Sequence, residues 1–403
     1  MSVRAGIFWT AAGLVAYTYA IFPALILARA RLRPSPYRLD DITPTVSLLV
    51  AAYNERSSIG AKVENSLTQD YPAGLLEVIV ASDGSDDGTD EIVAGYADRG
   101  VRLLSLPRGG KAAALNAAVE ASSGEVLVFS DANSIYARDA IRRLVRPFAD
   151  AAVGGVAGNQ RYRPGTTTDA TTAGERTYWD FDRVLKEAES RAGSTISATG
   201  AMYAIRRSLF SGVPVGVTDD FAVSTSVIAQ GQRLVFAPDA VAWEAVASSG
   251  GEEWGRKVRI ITRGLHGVVE RRTLLDPMRY GFYSLQLLSH KVLRRLMGLP
   301  LLAMAVLAPT LWAHGPIYRV ASIGQALVYG LGVVGLLLGR RGLGRRRILA
   351  VPSFFIMVNA AAMTAAWNVL RGRRIDRWEP ARGASTSPTY GTSSSVGRPT
   401  GRG

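Results

Sequence analysis

The chain has 403 residues, is 48% hydrophobic, contains no cysteine and carries a formal net charge of +14. That length allows one or two domains plus extras, and the missing thiols exclude disulfides and thiolate-bound metals, a pattern compatible with a reducing compartment. The basic excess does not point to nucleic acid, because its arginines gather beside apolar runs: three at 29–33, two at 294–295, five at 340–347 and four at 371–377.

Ile7 to Ala28 is 22 residues without a charge, about 33 Å as a helix and enough to cross a bilayer. No small-residue cleavage site follows it, and Arg29, Arg31 and Arg33 read as a stop-transfer flank, so residues 1–33 are expected to form a retained anchor rather than a signal peptide. Lys and Arg favour the cytoplasmic side, which places the following residues in the cytoplasm at the inner membrane. Pro34, Pro36 and Pro44 mark a linker, and a soluble block begins near Thr45 and is expected over 45–264.

Within that block Val46–Ala52 reads as a strand, and Ile59, Val63 and Leu67 space a helix. Leu75–Ala81 is the next strand, followed by a helix around Glu91–Ala97. Val101–Leu106, the Ala-rich helix Lys111–Ala121 and the apolar run Val126–Phe129 continue the alternation. Strands alternating with helices predict an α/β domain with a Rossmann-like, mostly parallel sheet. Ligands bind at the carboxyl ends of such strands. Those ends are polar: Tyr53-Asn54-Glu55, Ser82 to Gly88, and Asp131-Ala132-Asn133. Neither a dinucleotide fingerprint nor a P-loop follows the first strand. If the chain stays extended beyond Phe129, Asp131 and Asn133 point to one side and can offer oxygens to one Mg²⁺ or Mn²⁺. The competing reading makes Asp131 a cap for a helix starting near Arg138.

The series A-A-Y-N-E, S-D-G-S-D-D-G-T, G-G-K-A-A-A-L-N, S-D-A-N, T-G-A-M-Y-A-I-R-R and T-D-D resembles the family 2 glycosyltransferases over roughly 46–264. The likeness is to the membrane-bound branch with cellulose, chitin and hyaluronan synthases. It implies a GT-A fold, a nucleotide-sugar donor and inverting transfer by one in-line displacement with a single carboxylate base. By this resemblance Tyr53, Glu55, Asp83, Lys111 and Asp131 contact the nucleotide. Lys111 also opens a helix after Gly109-Gly110, where free backbone N–H groups would suit an anion. Asp131 and Asn133 take the family's D-x-D positions as metal ligands, with an amide in place of the second acid. Thr199, Gly200 and Ala201 match the floor of the acceptor site. Asp220 matches the final acid of the T-E-D motif and is the expected general base, with Asp219 in support, although both acids also suit the first turn of a helix running to Ile228. Asp83, Asp131 and Asp220 are expected to meet around one nucleotide and its cation.

Where the synthases carry Q-x-x-R-W, this chain has Arg256-Lys257-Val258-Arg259-Ile260. Arg256, Lys257 and Arg259 are expected at the diphosphate, while loss of the Trp removes an aromatic platform for an acceptor sugar. Tyr280–Arg295 reads as an interfacial amphipathic helix in a 265–295 segment. Leu296–Ala313, Val320–Leu338 and Ile348–Leu370 read as about three C-terminal spans within 296–370, ahead of a basic and then disordered tail, 371–403. One span before the domain and three after it put the tail outside, against its arginines. The expected activity is transfer from a nucleotide sugar, a UDP-sugar, to a saccharide acceptor in cell-surface or exopolysaccharide synthesis. Its rivals are transfer to a polyprenyl-phosphate lipid and a catalytically silent membrane scaffold. A scaffold would be expected to have lost Asp83, Asp131 or Asp220, and all three are present.

Overall fold

The computed structural model describes residues 2–162, 170–244, 250–338 and 346–375. Eight strands form one sheet: β1 Val46–Ala52, β2 Leu76–Asp83, β3 Val101–Leu106, β4 Val126–Asp131, β5 Ile135–Tyr136, β6 Val153–Tyr162, β7 Tyr203–Arg206 and β8 Arg233–Glu244. Their order is β3-β2-β1-β4-β7-β6-β8-β5. Every residue of β1 is buried, and successive side chains serve opposite layers, as a strand's two-residue period requires. Leu48 and Val50 pack with Ile59, Val63 and Val93, while Leu49 and Ala51 pack with Leu115 and Ala118. The expectation of a mostly parallel sheet holds for β1 to β4 and for the β6–β8 pair. It stops at β7, which enters antiparallel between β4 and β6. Phe129 and Tyr203 face each other in that register, and their rings stack at 4.8 Å.

Strand β1 pairs with β2 on one side and β4 on the other. The strand order therefore reverses between β1 and β4, the switch point at which open sheets leave a crevice. Ala51 lies level with Asp131 across that pair, so the sheet itself carries the acid to the crevice.

Outside the sheet, three helices among the described residues are long and apolar enough to cross a membrane: Val3–Leu32 (with a wider turn over Tyr17–Ile21), Pro316–Leu338 and Arg347–Leu370. The expected span Leu296–Ala313 is instead a short helix, Gly298–Thr310, bent by 50° from Phe282–Leu296, so there are four candidates only if that pair counts as one. Gly281, with φ +55, starts the expected Tyr280–Arg295 helix at Phe282, and it runs to Leu296. Tyr283 and Leu287 are buried against Ile196 and Phe221 of the sheet domain rather than lying free at an interface. The helix Gly250–Glu270 also runs unbroken through the boundary expected at 264. After Arg347–Leu370 the chain comes back to it: Ile261 and Leu265 pack on Ala361, Ala362 and Ala365, and His266 Nε2 donates to the Arg373 carbonyl at 3.2 Å. Of the tail only residues 371–375 are described, and the disorder expected from Ala381 lies outside the described residues.

Small residues let the last two long helices touch. A Cβ on Gly335 would fall 2.1 Å from Ser353 Oγ and 2.9 Å from the Leu349 carbonyl oxygen, the close backbone approach that membrane helices use. Gly335→Leu should force the pair apart at about 1–3 kcal/mol, the cost of overpacking, and so lower the Tm of detergent-solubilised protein. An unchanged Tm would show that this contact contributes nothing.

Candidate active site

At the end of β2, Asp83 is 1% exposed and fully engaged. It pairs with Arg108, and the Gly109 and Gly110 amides donate to its Oδ1 at 2.7 and 2.8 Å. Those amides were expected to be open to a ligand, but the anion they receive is Asp83's own carboxylate. The loop closes tightly, since a Cβ on Gly84 would sit 2.9 Å from the Arg108 amide nitrogen. Arg108 lies flat over Tyr53, 3.4 Å from the ring centre, on a face where a base would otherwise stack. Tyr53 and Asp83 are not among the residues that line the central cavity, so Asp83 does not share it with Asp131 and Asp220.

That cavity has a volume of about 620 Å³ and is lined by Glu55, Lys111, Asp131 and Asn133, by Thr199 to Ala201, and by Asp219, Asp220, Arg256, Lys257 and Arg259. Lys111 is buried at its helix start and bridges two acids, Asp131 at 2.6 Å and Asp219 at 3.0 Å. Burial alone would strip its proton, but the two carboxylates outweigh that and hold its pKa above the ordinary lysine value. Glu55 is pushed upward by burial, against the Ser58 hydroxyl that bonds it. A Cβ on Gly200 would come within 2.8 Å of Asp131 Oδ2, so glycine is what lets this stretch of the wall meet the acid.

Asp131 and Asn133 do not share the face of an extended strand. The strand ends at Asp131, whose carbonyl accepts from the Ser134 amide at 3.2 Å, and Asn133 sits exposed in the resulting turn. Nor does Asp131 cap a helix; its amide instead donates to the Gly200 carbonyl. Both side chains nonetheless line the one cavity. Among the described residues no three His, Cys, Asp or Glu converge as metal ligands. One carboxylate and one amide oxygen fit Mg²⁺ or Mn²⁺, ions that fill their remaining positions with water and substrate phosphates. The hydroxyl of Thr199, buried and without a partner, leaves a further polar atom unsatisfied at this wall.

Asp219 and Asp220 open the helix Asp219–Ala229 behind Thr218. Asp220 is held by its neighbour's amide (Phe221 N, 2.7 Å), and Phe221 packs so closely on Gly267 that a Cβ there would lie 2.8 Å from its ring. Burial, then the charge of Asp219, raises the Asp220 pKa against the opposing Lys291 and Lys111. Arg256 and Lys257 turn toward buried Glu253, at 2.9 and 3.1 Å.

Several buried ionisable residues in or behind this cavity belong to none of the motifs. Glu244, at the end of β8, accepts from Ser134 Oγ at 2.8 Å and Gln160 Nε2 at 2.5 Å, and burial with the nearby Asp131 charge pushes it up to about 7. Lys62 is fully buried, donates to the Ser134 carbonyl at 2.8 Å, and is lowered to about 7 by burial. It lies on the helix face that Ile59 and Val63 bury, an anomaly visible in the spacing alone. Further along, the cavity is walled by Asp182, Lys186, His290, Lys291, Arg294 and Arg295.

Residues 47–213 match the profile of glycosyl transferase family 2. The chain is 29% identical over 219 residues to an N-acetylglucosaminyltransferase of Rhizobium sp. (strain N33), covering 50% of this chain and 48% of that protein. It is 27% identical over 254 residues to the poly-beta-1,6-N-acetyl-D-glucosamine synthase of Staphylococcus aureus (strain COL), covering 60% of each. It thus spans about half to three-fifths of the length of these curated relatives. Among solved structures, the mannosyltransferase PcManGT from Pyrobaculum calidifontis in complex with GDP-Man and Mn²⁺ superposes with a TM-score of 0.69 at 26% identity, over 91% of this chain and 100% of that one. Over residues 47–213, and in the sheet beneath the site, the chain is similar to the family 2 glycosyltransferases.

Proposed function

We propose that this chain is an integral inner-membrane enzyme whose cytoplasmic GT-A domain, residues 45–264 together with the remainder of the helix Gly250–Glu270, transfers a sugar with inversion from a uridine-diphosphate sugar to an acceptor hydroxyl in cell-surface polysaccharide synthesis. One observation carries the reading: a single cavity joins the Glu55, Lys111 and Asp131 wall at the switch point to the Asp220 carboxylate. The names of the two curated relatives support an N-acetylglucosamine-type donor.

In this reading the acceptor oxygen attacks the anomeric carbon while the bond from that carbon to the diphosphate breaks. Asp220 takes the hydroxyl proton, a task suited to a carboxylate whose proton affinity is raised by burial. Asp219 keeps Lys111 in place, and Lys111, Arg256, Lys257 and Arg259 supply positive charge toward the diphosphate. Asp131 and Asn133 would hold Mg²⁺ or Mn²⁺, which neutralises charge developing on the leaving group. PcManGT with Mn²⁺ bound supports such an ion. Thr199, Gly200 and Ala201 form the acceptor side, and Tyr53 and Asp83 serve the nucleotide from the rim once Arg108 moves off the ring.

The test is a screen of nucleotide sugars, with membranes or lipid extract present, for nucleoside-diphosphate release; no release from any donor would defeat the proposal. EDTA should stop the release, and Mn²⁺ or Mg²⁺ should restore it. Turnover that persists in the chelator would remove the ion from the scheme.

A further inference from the structure

Asn133 is exposed in its turn, but the residue after it is fully buried with each of its polar groups engaged. The Ser134 amide donates to the Asp131 carbonyl at 3.2 Å, its carbonyl accepts from Lys62 Nζ at 2.8 Å, and its hydroxyl donates to Glu244 Oε1 at 2.8 Å. Three parts of the fold thus meet on one serine: strand β4, the helix Ile59–Leu67 and strand β8. The same helix and strand hold the residues that follow. Asn65, one turn beyond Lys62, accepts from the Tyr136 amide at 2.7 Å and donates to the Tyr136 carbonyl at 2.9 Å. Ile135 and Tyr136 pair with Trp243 and Ala242, just ahead of Glu244. Lys62 and Glu244 are both buried, and Lys62 Nζ also lies 3.6 Å from the centre of the Tyr136 ring. Burying such groups costs free energy unless they are hydrogen-bonded, and each directs a hydrogen bond to this serine.

Asp131 and Asn133 make a sparse pair of ligands, because the amide oxygen brings no charge. Holding such a group in its binding geometry before the ion arrives takes the ordering cost out of binding, and groups behind the ligands do this in metal sites. We propose, resting on the reading above, that Lys62, Ser134 and Glu244 are positioning residues for Mg²⁺ or Mn²⁺: they fix the turn that keeps the Asn133 side chain on the cavity wall with Asp131. Ser134 is fully buried, and the two Glu244 oxygens are taken by Ser134 and Gln160, so these residues act through Asn133 and not as ligands.

The experiment uses the full chain in detergent with Mn²⁺ and UDP, and with GDP in parallel. Bound ion is measured by loss of the free Mn²⁺ paramagnetic resonance signal, well below the Tm of each variant. Ser134→Ala and Lys62→Met should raise the Mn²⁺ Kd by about 10–100-fold. Removing a basic group behind a cation site would by itself favour the ion, so the sign of the Lys62→Met effect separates positioning from charge. Glu244→Leu should show the same loss, and Glu244→Gln, which keeps an oxygen for the Ser134 hydroxyl, should recover most of it. Gly335→Leu, between the last two long helices, should lower the Tm without moving the Kd. An unchanged Kd in Ser134→Ala, an unchanged or lower Kd in Lys62→Met, or an equal rise in Gly335→Leu overturns the proposal and leaves the transferase reading standing. If Lys62→Met does not fold, Ser134→Ala, which deletes one oxygen, decides alone. A parent chain that binds no Mn²⁺ with either nucleotide removes the ion from that reading and overturns the proposal with it.

Discussion

Asp220→Asn should lower sugar transfer by about 10²–10⁴-fold, the span that a positioned general base contributes, while donor binding persists. The carboxamide keeps the shape of the side chain but accepts no proton at a useful pH. The substitution also removes a charge that burial and Asp219 make costly, so the variant's Tm near neutral pH should hold or rise. A parallel check lies in the pH profile. Because the ionised form is the base, the rate falls as pH drops through the Asp220 pKa, and that pKa is raised, so the acid limb should lie above the ordinary aspartate value of about 3.9. Full turnover in the Asn variant would move the base to another residue.

The second large effect belongs to Lys111→Met. The methionine fills similar space but leaves Asp131 and Asp219, 31% and 13% exposed, facing each other without their shared ammonium. Breaking a buried ion pair from one side costs about 3–5 kcal/mol. At roughly 2–4 °C per kcal/mol for a domain of this size, the Tm should fall by about 6–20 °C. Mn²⁺ should return more of that loss to the variant than it adds to the parent, because a cation then replaces the missing charge. A variant as stable as the parent, with or without Mn²⁺, would mean the bridge stabilises nothing.

Much of this arrangement could be read from the residues. The apolar runs of β1 and β4 and the polar groups at their ends place the crevice, because a strand buried on both faces has only its ends free for chemistry. The failures are equally physical. Periodicity marks which residues are buried but not where a strand turns, so Asn133 was given a strand's geometry in what is a turn. Local sequence shows a glycine pair before a helix but not which anion reaches it, and Asp83 arrives there from the neighbouring strand. Glu244 and the Lys186–Arg294 group escaped because their partners lie far off in the chain. Arg294 meets His290 one turn away, but His290 meets Glu189 across 101 residues.

The hydrogen bond from His266 to the Arg373 carbonyl fixes the parity of the threading. In a bilayer, two atoms 3.2 Å apart share a side, so the polypeptide between them must enter and leave the hydrocarbon an even number of times. If the two long helices Pro316–Leu338 and Arg347–Leu370 both cross, the pair bent by 50° does not. The arginines at 371–374 would then lie on the same side of the bilayer as the sheet.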